Sequence, residues 1–187
     1  MRGALAALLL LGLCGCAAWQ GKSLPGPSLD SLPKSRVTGV DYEISRIHSI
    51  DNDPWMLHSF PARLDRQLEK AFTHAAPGIG RAPLHLILAI DTTGEEGPGL
   101  LTLASFFTAT LIPSYAPLRI NLRVEARLDD KFLASYDYSR GMRAWYGVIF
   151  IPLLFTANSW RAVAGTLTDE MIANLIFDLT RDIERKS

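Results

Sequence analysis

Hydrophobic and polar residues alternate along several stretches of the chain, and this period of two predicts β-strands. The clearest stretch is RINLRVEARL, residues 119–128, whose apolar side chains face inward while Arg119, Asn121, Arg123, Glu125 and Arg127 face outward. Residues 36–47 and 132–140 alternate in the same way, and the nearly continuous apolar run at 84–91 is typical of a central strand. The short turn DDK before Phe132 predicts a hairpin, with Phe132, Ala134, Tyr136 and Tyr138 on one side of its second strand.

Two further stretches have the helical period of apolar residues. In residues 59–75 an apolar stripe follows Ser59, a candidate cap, and Pro61, which suits a first turn. Residues 166–187 begin with Thr166 or Thr168 as caps. The buried stripe of this last helix is predicted to be Ile172, Leu175, Ile176, Leu179 and Ile183. The order of elements predicts an α+β fold, with a mostly antiparallel sheet of about four strands and two helices on one face.

Two long uncharged segments, residues 97–118 and 144–160, interrupt this pattern, and both contain proline. A helix of 17 residues is about 25 Å long and is shorter than the roughly 30 Å hydrocarbon core of a bilayer. Two interpretations remain open for these segments. They pack on the uncovered face of the sheet as core, or they form an apolar lobe that enters the lipid interface or docks an apolar partner.

Aromatic residues flank the later segment, as they do at the headgroup depth of membrane proteins. The side chains predicted to contact a membrane or a partner are Phe106, Phe107, Leu111, Ile112, Trp145, Tyr146, Phe150, Leu153, Leu154 and Trp160.

The N-terminus has the pattern of a secretory signal, because Met1 and Arg2 precede about a dozen apolar residues. The sequence Leu13-Cys14-Gly15-Cys16 resembles the lipobox of bacterial lipoproteins, with Leu at −3 and a small residue at −1. This resemblance implies that the signal is removed before Cys16 and that Cys16 carries acyl chains, which anchor the protein in the membrane. Cys14 would leave with the signal, so the mature chain would have no free thiol.

The residues after Cys16 also bear on location and organisation. Gram-negative lipoproteins retained in the inner membrane commonly have aspartate after the cysteine, and here Ala17 stands there. The resemblance therefore implies the outer membrane, at its periplasmic face. The following stretch is rich in Pro, Gly and Ser, which predicts a flexible tether. The predicted organisation is a signal peptide at 1–15, a lipidated tether at 16–35 and one α+β periplasmic domain at 36–187.

The charge and the motifs of the sequence give little support to nucleic-acid binding, metal binding or catalysis. The formal net charge is zero, which argues against nucleic acid as a partner. The four histidines form no HExxH or HxH pair, and no serine lies in a nucleophile elbow. We therefore expect no catalytic residues, no metal site and no cofactor.

The whole chain resembles small Gram-negative outer-membrane lipoproteins with a compact α+β periplasmic domain, which implies an accessory role. The predicted function is that of a non-catalytic envelope protein, anchored through Cys16. It would dock to the membrane or to an envelope assembly, secretion or transport partner through segments 97–118 and 144–160. The alternative is a periplasmic binding module for a lipid or another apolar ligand, held beneath these two segments.

Overall fold

The computed structural model describes residues 15–20, 37, 39–48, 54–78, 82–94, 114–147 and 159–186. These residues form six strands and two helices. In chain order they are β1 (Gly15–Gln20), β2 (Gly39–His48), α1 (Pro54–Ala71), β3 (His74–Pro77), β4 (Leu84–Gly94), β5 (Ser114–Leu128), β6 (Lys131–Gly147) and α2 (Trp160–Lys186).

The strands form one sheet in the order β1-β6-β5-β4-β2-β3. β1 runs antiparallel to β6, while β2 runs parallel to both β3 and β4. The predicted α+β class is confirmed, and the four predicted strands correspond to β2, β4, β5 and β6. The sheet gains β1 and β3 at its two edges, and each is too short for its period to stand out in the sequence.

The chain divides into two compact units. Unit 1 consists of Met1–Lys22, Gly94–Arg119 and Gly141–Thr166. Unit 2 consists of Ser23–Thr93, Ile120–Arg140 and Leu167–Ser187. The predicted organisation into 1–15, 16–35 and 36–187 stays a prediction, although β1 already occupies residues 15–20, where the sequence indicated the start of a tether.

The core of unit 2 contains buried apolar side chains of β4, β5 and both helices. Ile120 and Leu122 are fully buried and Val124 is 1% exposed, which confirms the predicted register of β5. Each buried aliphatic side chain of this size contributes about 1.5–3 kcal/mol through removal from water. The five predicted stripe residues of α2 are also buried, namely Ile172, Leu175, Ile176, Leu179 and Ile183.

The predicted start of the first helix was wrong. α1 begins at Pro54, so Pro61 lies inside the helix and not in its first turn. Pro54 suits the first position of the helix, because the φ angle of its ring is already helical and a residue there needs no N–H for a helical hydrogen bond. Ser59 lies within the helix and its hydroxyl is buried without a hydrogen-bond partner in the described part of the chain, so it is not the cap.

The second helix also begins earlier than predicted. It starts at Trp160, and the Ser159 hydroxyl caps it by accepting a hydrogen bond from the N–H of Ala162 at 3.3 Å. The Thr166 hydroxyl instead donates to the carbonyl of Ala162 within the helix. The additional turn is helical because Val163 and Ala164 are buried in it.

A two-residue turn joins β5 to β6. Asp129 and Asp130 both have positive φ, 49° and 63°, as a type I′ turn requires. At the start of β6, Phe132 is 61% exposed while its neighbour Leu133 is buried.

Three tyrosines connect the strands of unit 2 to its helices. Tyr42 donates to Asp65 at 2.5 Å, Tyr136 to Asp182 at 2.9 Å and Tyr138 to Asp178 at 2.8 Å. Burial of each ring and then the hydrogen bond to its aspartate raise the pKa of all three hydroxyls above the ordinary value for tyrosine. These hydroxyls therefore remain donors and hold the helices in register with the sheet.

Candidate functional site

The predicted lipidation residue lies in the edge strand β1. In the antiparallel register Cys16 is opposite Tyr146, and Ala17 is opposite Trp145. Opposed residues of an antiparallel pair have Cα atoms about 4.5–5.5 Å apart. The backbone of Cys16 is therefore a direct neighbour of the first residues of the apolar segment 144–160.

This strand pair is packed and not merely extended. Ala18 is fully buried, and its cross-strand partner Ala144 is 1% exposed. Next to them the rings of Tyr115 and Trp145 lie 5.0 Å apart with a tilt of 37°. An aromatic pair in this geometry contributes about 0.5–1.5 kcal/mol beyond its buried area. The ring pair links the start of β5 to the end of β6 within unit 1.

The C-terminal end of the apolar segment 144–160 lies at the start of α2. Its last residue, Trp160, is the first residue of α2, and the N–H of Val163 donates to the carbonyl of Ser159 at 3.0 Å. Among the described residues, neither helix is long and apolar enough to cross a membrane.

The composition of unit 1 unites the features that the sequence analysis singled out separately. Its range Met1–Lys22 contains Cys16, Gly94–Arg119 contains the segment 97–118, and Gly141–Thr166 contains the segment 144–160. The candidate functional site is therefore unit 1, and its described part includes the strand pair β1–β6.

The predicted contact residues are only partly described. Trp145 and Trp160 are half-buried, and Tyr146 lies in β6 opposite Cys16. The remaining predicted contact residues fall outside the described residues, and they are Phe106, Phe107, Leu111, Ile112, Phe150, Leu153 and Leu154. The ligand cavity predicted beneath the two segments falls outside them as well. Their contacts with a membrane, a partner or an apolar ligand stay a prediction.

Unit 2 contains a cavity that the sequence did not indicate. It has a volume of about 460 Å³ and is lined by Tyr42, Glu43, Ile44, Pro61, Asp65, Pro77 and Gly78. The residues come from β2, α1 and the end of β3. Tyr42 and Asp65 are 23 residues apart, and no local pattern in the sequence indicates their hydrogen bond.

In the part of the chain that the structure describes, no group of three or more His, Cys, Asp or Glu side chains is arranged to hold a metal ion. His85 lies half-buried on β4. Its Nδ1 atom is buried and has no hydrogen-bond partner in the described part of the chain.

No family model matches the chain, and no curated protein matches it significantly. Among solved structures it is similar to a homologue of the neuraminyllactose-binding hemagglutinin from Helicobacter pylori, with 10% identity, a TM-score of 0.46, and coverage of 88% of this chain and 93% of that one.

A protein from Xanthomonas campestris assigned to the DUF330 family has 10% identity and a TM-score of 0.42, with 86% of this chain and 90% of that one covered. A minor lipoprotein from Acinetobacter baumannii has 13% identity and a TM-score of 0.37, with 80% of this chain and 94% of that one covered. All three are bacterial proteins, and similarities of this size assign neither a family nor a function to the chain.

Proposed function

We propose that this chain is a lipid-anchored, non-catalytic accessory protein of the bacterial envelope. Unit 1 would dock to the membrane or to an envelope partner through the segments 97–118 and 144–160. The observation that supports this proposal is the register of β1 and β6, in which Cys16 is the cross-strand neighbour of Tyr146.

The register matters because it determines how far the domain can move from its anchor. A flexible tether of about 20 residues, such as the predicted 16–35, has a root-mean-square span of roughly 25 Å. With Cys16 paired into the sheet, the distance from the acylated residue to β6 is about 5 Å. Acyl chains on Cys16 would therefore keep the end of β6 at headgroup depth.

Two chemical features of unit 1 fit this position. Several acyl chains on one cysteine hold a protein firmly at a membrane, where one chain gives only marginal binding. The ring of Trp145 is half-buried beside Tyr115 and lies opposite Ala17, and tryptophan and tyrosine are favoured at the interface between water and lipid. The residue after Cys16 is Ala17 and not aspartate, which supports the outer membrane as the location.

The proposal is tested by tryptophan quenching in vesicles. The acylated full chain is reconstituted into phosphatidylethanolamine–phosphatidylglycerol vesicles whose acyl chains carry bromine. We expect the bromolipids to quench tryptophan emission and the quenched component to fall in Trp145→Phe. A wild-type emission unaffected by bromolipid would contradict the docking of unit 1 at the membrane and would leave docking to a protein partner.

A further inference from the structure

The peptide bond at which the signal is predicted to be removed lies inside the strand pair of β1 and β6. Gly15 is opposite Gly147. Cys16 is opposite Tyr146, so the residues on both sides of this bond are paired. The pairing continues without a shift of register over all six residues of β1. Hydrolysis of the bond therefore requires access to backbone that the sheet already uses.

The strand pair is packed close to this bond. Ala18, two residues after Cys16, is fully buried, and its cross-strand partner Ala144 is 1% exposed. A protease holds several residues on each side of the bond that it cleaves, and it acts on the open form of a folded chain. Withdrawal of β1 would expose Ala18 and would break backbone hydrogen bonds to β6. Once β1 is paired, it therefore protects the bond before Cys16.

The same pair can form again after the signal has been removed. Hydrolysis breaks the C–N bond between Gly15 and Cys16, and water supplies a hydroxyl group to the carbonyl carbon and a hydrogen to the nitrogen. Of the six pairs in the register, only the pair of Gly15 with Gly147 is lost. The five that remain run from Cys16 to Gln20, with Ala18 in the middle. The mature chain can therefore close the strand pair that hinders processing of the precursor.

We propose that signal removal precedes the pairing of β1 with β6, and that a precursor in which β1 has already paired is protected from hydrolysis before Cys16. The docking of β1 then follows the hydrolytic reaction and completes the described strand pair of unit 1. This order of events rests on the proposed processing and acylation at Cys16. It adds that β1 stays open in the precursor and closes in the mature chain.

The first test opens the strand pair in the full-length precursor. Wild-type and Ala144→Asp precursors are accumulated in cells with a signal-peptidase inhibitor, purified in a neutral detergent and mixed with envelope membranes that contain the processing enzymes. The mass of the chain reports removal of the signal over time. We expect Ala144→Asp to lose its signal at least about tenfold faster than the wild type, because a buried unpaired charge favours the open strand. Arg143→Ala, an exposed change on β6, should keep the wild-type rate.

The second test closes the strand pair and needs no variant to open. In a Cys14→Ala precursor, Ala18→Cys and Ala144→Cys place thiols on opposed residues, whose Cα separation of about 4.5–5.5 Å suits a disulfide. We expect the oxidised precursor to keep its signal, and the same protein to lose it after reduction. Cleavage at equal rates before and after reduction would overturn the proposal, and so would equal rates in the wild type and Ala144→Asp.

These outcomes can be told apart from a failure of the proposed anchoring. Equal rates of signal removal, with acyl label on Cys16, would overturn the order of events and leave the anchoring in place. If no precursor, oxidised or reduced, yields a labelled chain that begins at Cys16, the anchoring and the order of events are both overturned.

Discussion

Cys16 lies directly opposite Tyr146 in the antiparallel register of β1 and β6. This relationship joins two features that are 130 positions apart in the chain, the cysteine of the predicted lipobox and an apolar segment. It replaces the start of a flexible tether with a strand. In the proposed anchoring through Cys16, the distance between the acyl chains and the domain depends on the stability of one strand pair.

The strand pair can be broken without altering the lipobox. Ala144 is 1% exposed and lies opposite Ala18, so Ala144→Asp would bury an unpaired charge at a cost of about 3 kcal/mol or more. We expect β1 to detach, with acylation retained and the bromolipid quenching of Trp145 reduced. Arg143→Ala, an exposed change on the same strand, is the control. Unchanged quenching in a folded Ala144→Asp protein would show that β1 does not set the position of unit 1.

The register of the hairpin gives a second prediction. Val124 is 1% exposed, and Val124→Asp should lower the free energy of unfolding by about 3 kcal/mol or more. Arg123 pairs with Asp137 at 3.3 Å, but both side chains are more than 60% exposed, so Arg123→Ala should have almost no effect. Chemical denaturation of the two variants compares these values, and equal losses would contradict the register.

Alkaline pH should unfold unit 2 through its tyrosines. Burial, and then the hydrogen bonds to Asp65, Asp182 and Asp178, raise the pKa of Tyr42, Tyr136 and Tyr138, whereas a tyrosine in an unfolded chain has a pKa of about 10. The unfolded chain therefore loses protons first. Stability is fully present below about pH 10 and is lost as the pH rises towards the raised values.

The measurement is an absorbance titration of tyrosinate, followed in parallel by circular dichroism. Three of the chain's five tyrosines should ionise only as the dichroism signal is lost. Ionisation of all five with an unchanged dichroism spectrum would contradict the three tyrosine–aspartate hydrogen bonds.

Periodic patterns in the sequence predicted the interior well because burial enforces them. The alternation in β5 and the helical stripe of α2 place side chains such as Leu122 and Ile176 fully in the core. Local signals were less successful where context overrides them. Ser59 and Thr166 are good caps by composition, but both lie within helices that begin earlier, at Pro54 and Trp160.

The candidate site was harder to predict, for physical reasons. β1 contains only six residues and none of them is charged. Its local sequence does not distinguish it from a tether, because it becomes a strand only by pairing with β6, which lies far away in the chain. The cavity beside Tyr42 and Asp65 depends on β2, α1 and β3 meeting in space. The predicted lipobox depends on no such meeting of elements, because its pattern lies in four consecutive residues, Leu13 to Cys16.

The most direct test of the account is acyl labelling of Cys16. Cells that express the full chain, Cys16→Ala or Cys14→Ala are grown with an alkyne fatty acid, and the purified proteins are compared for label and mass. We expect label on the wild type and on Cys14→Ala, and its loss in Cys16→Ala together with an unprocessed precursor or a released domain. Normal labelling of Cys16→Ala would contradict the assignment of Cys16 as the anchor and, with it, the proposed position of unit 1 at the membrane.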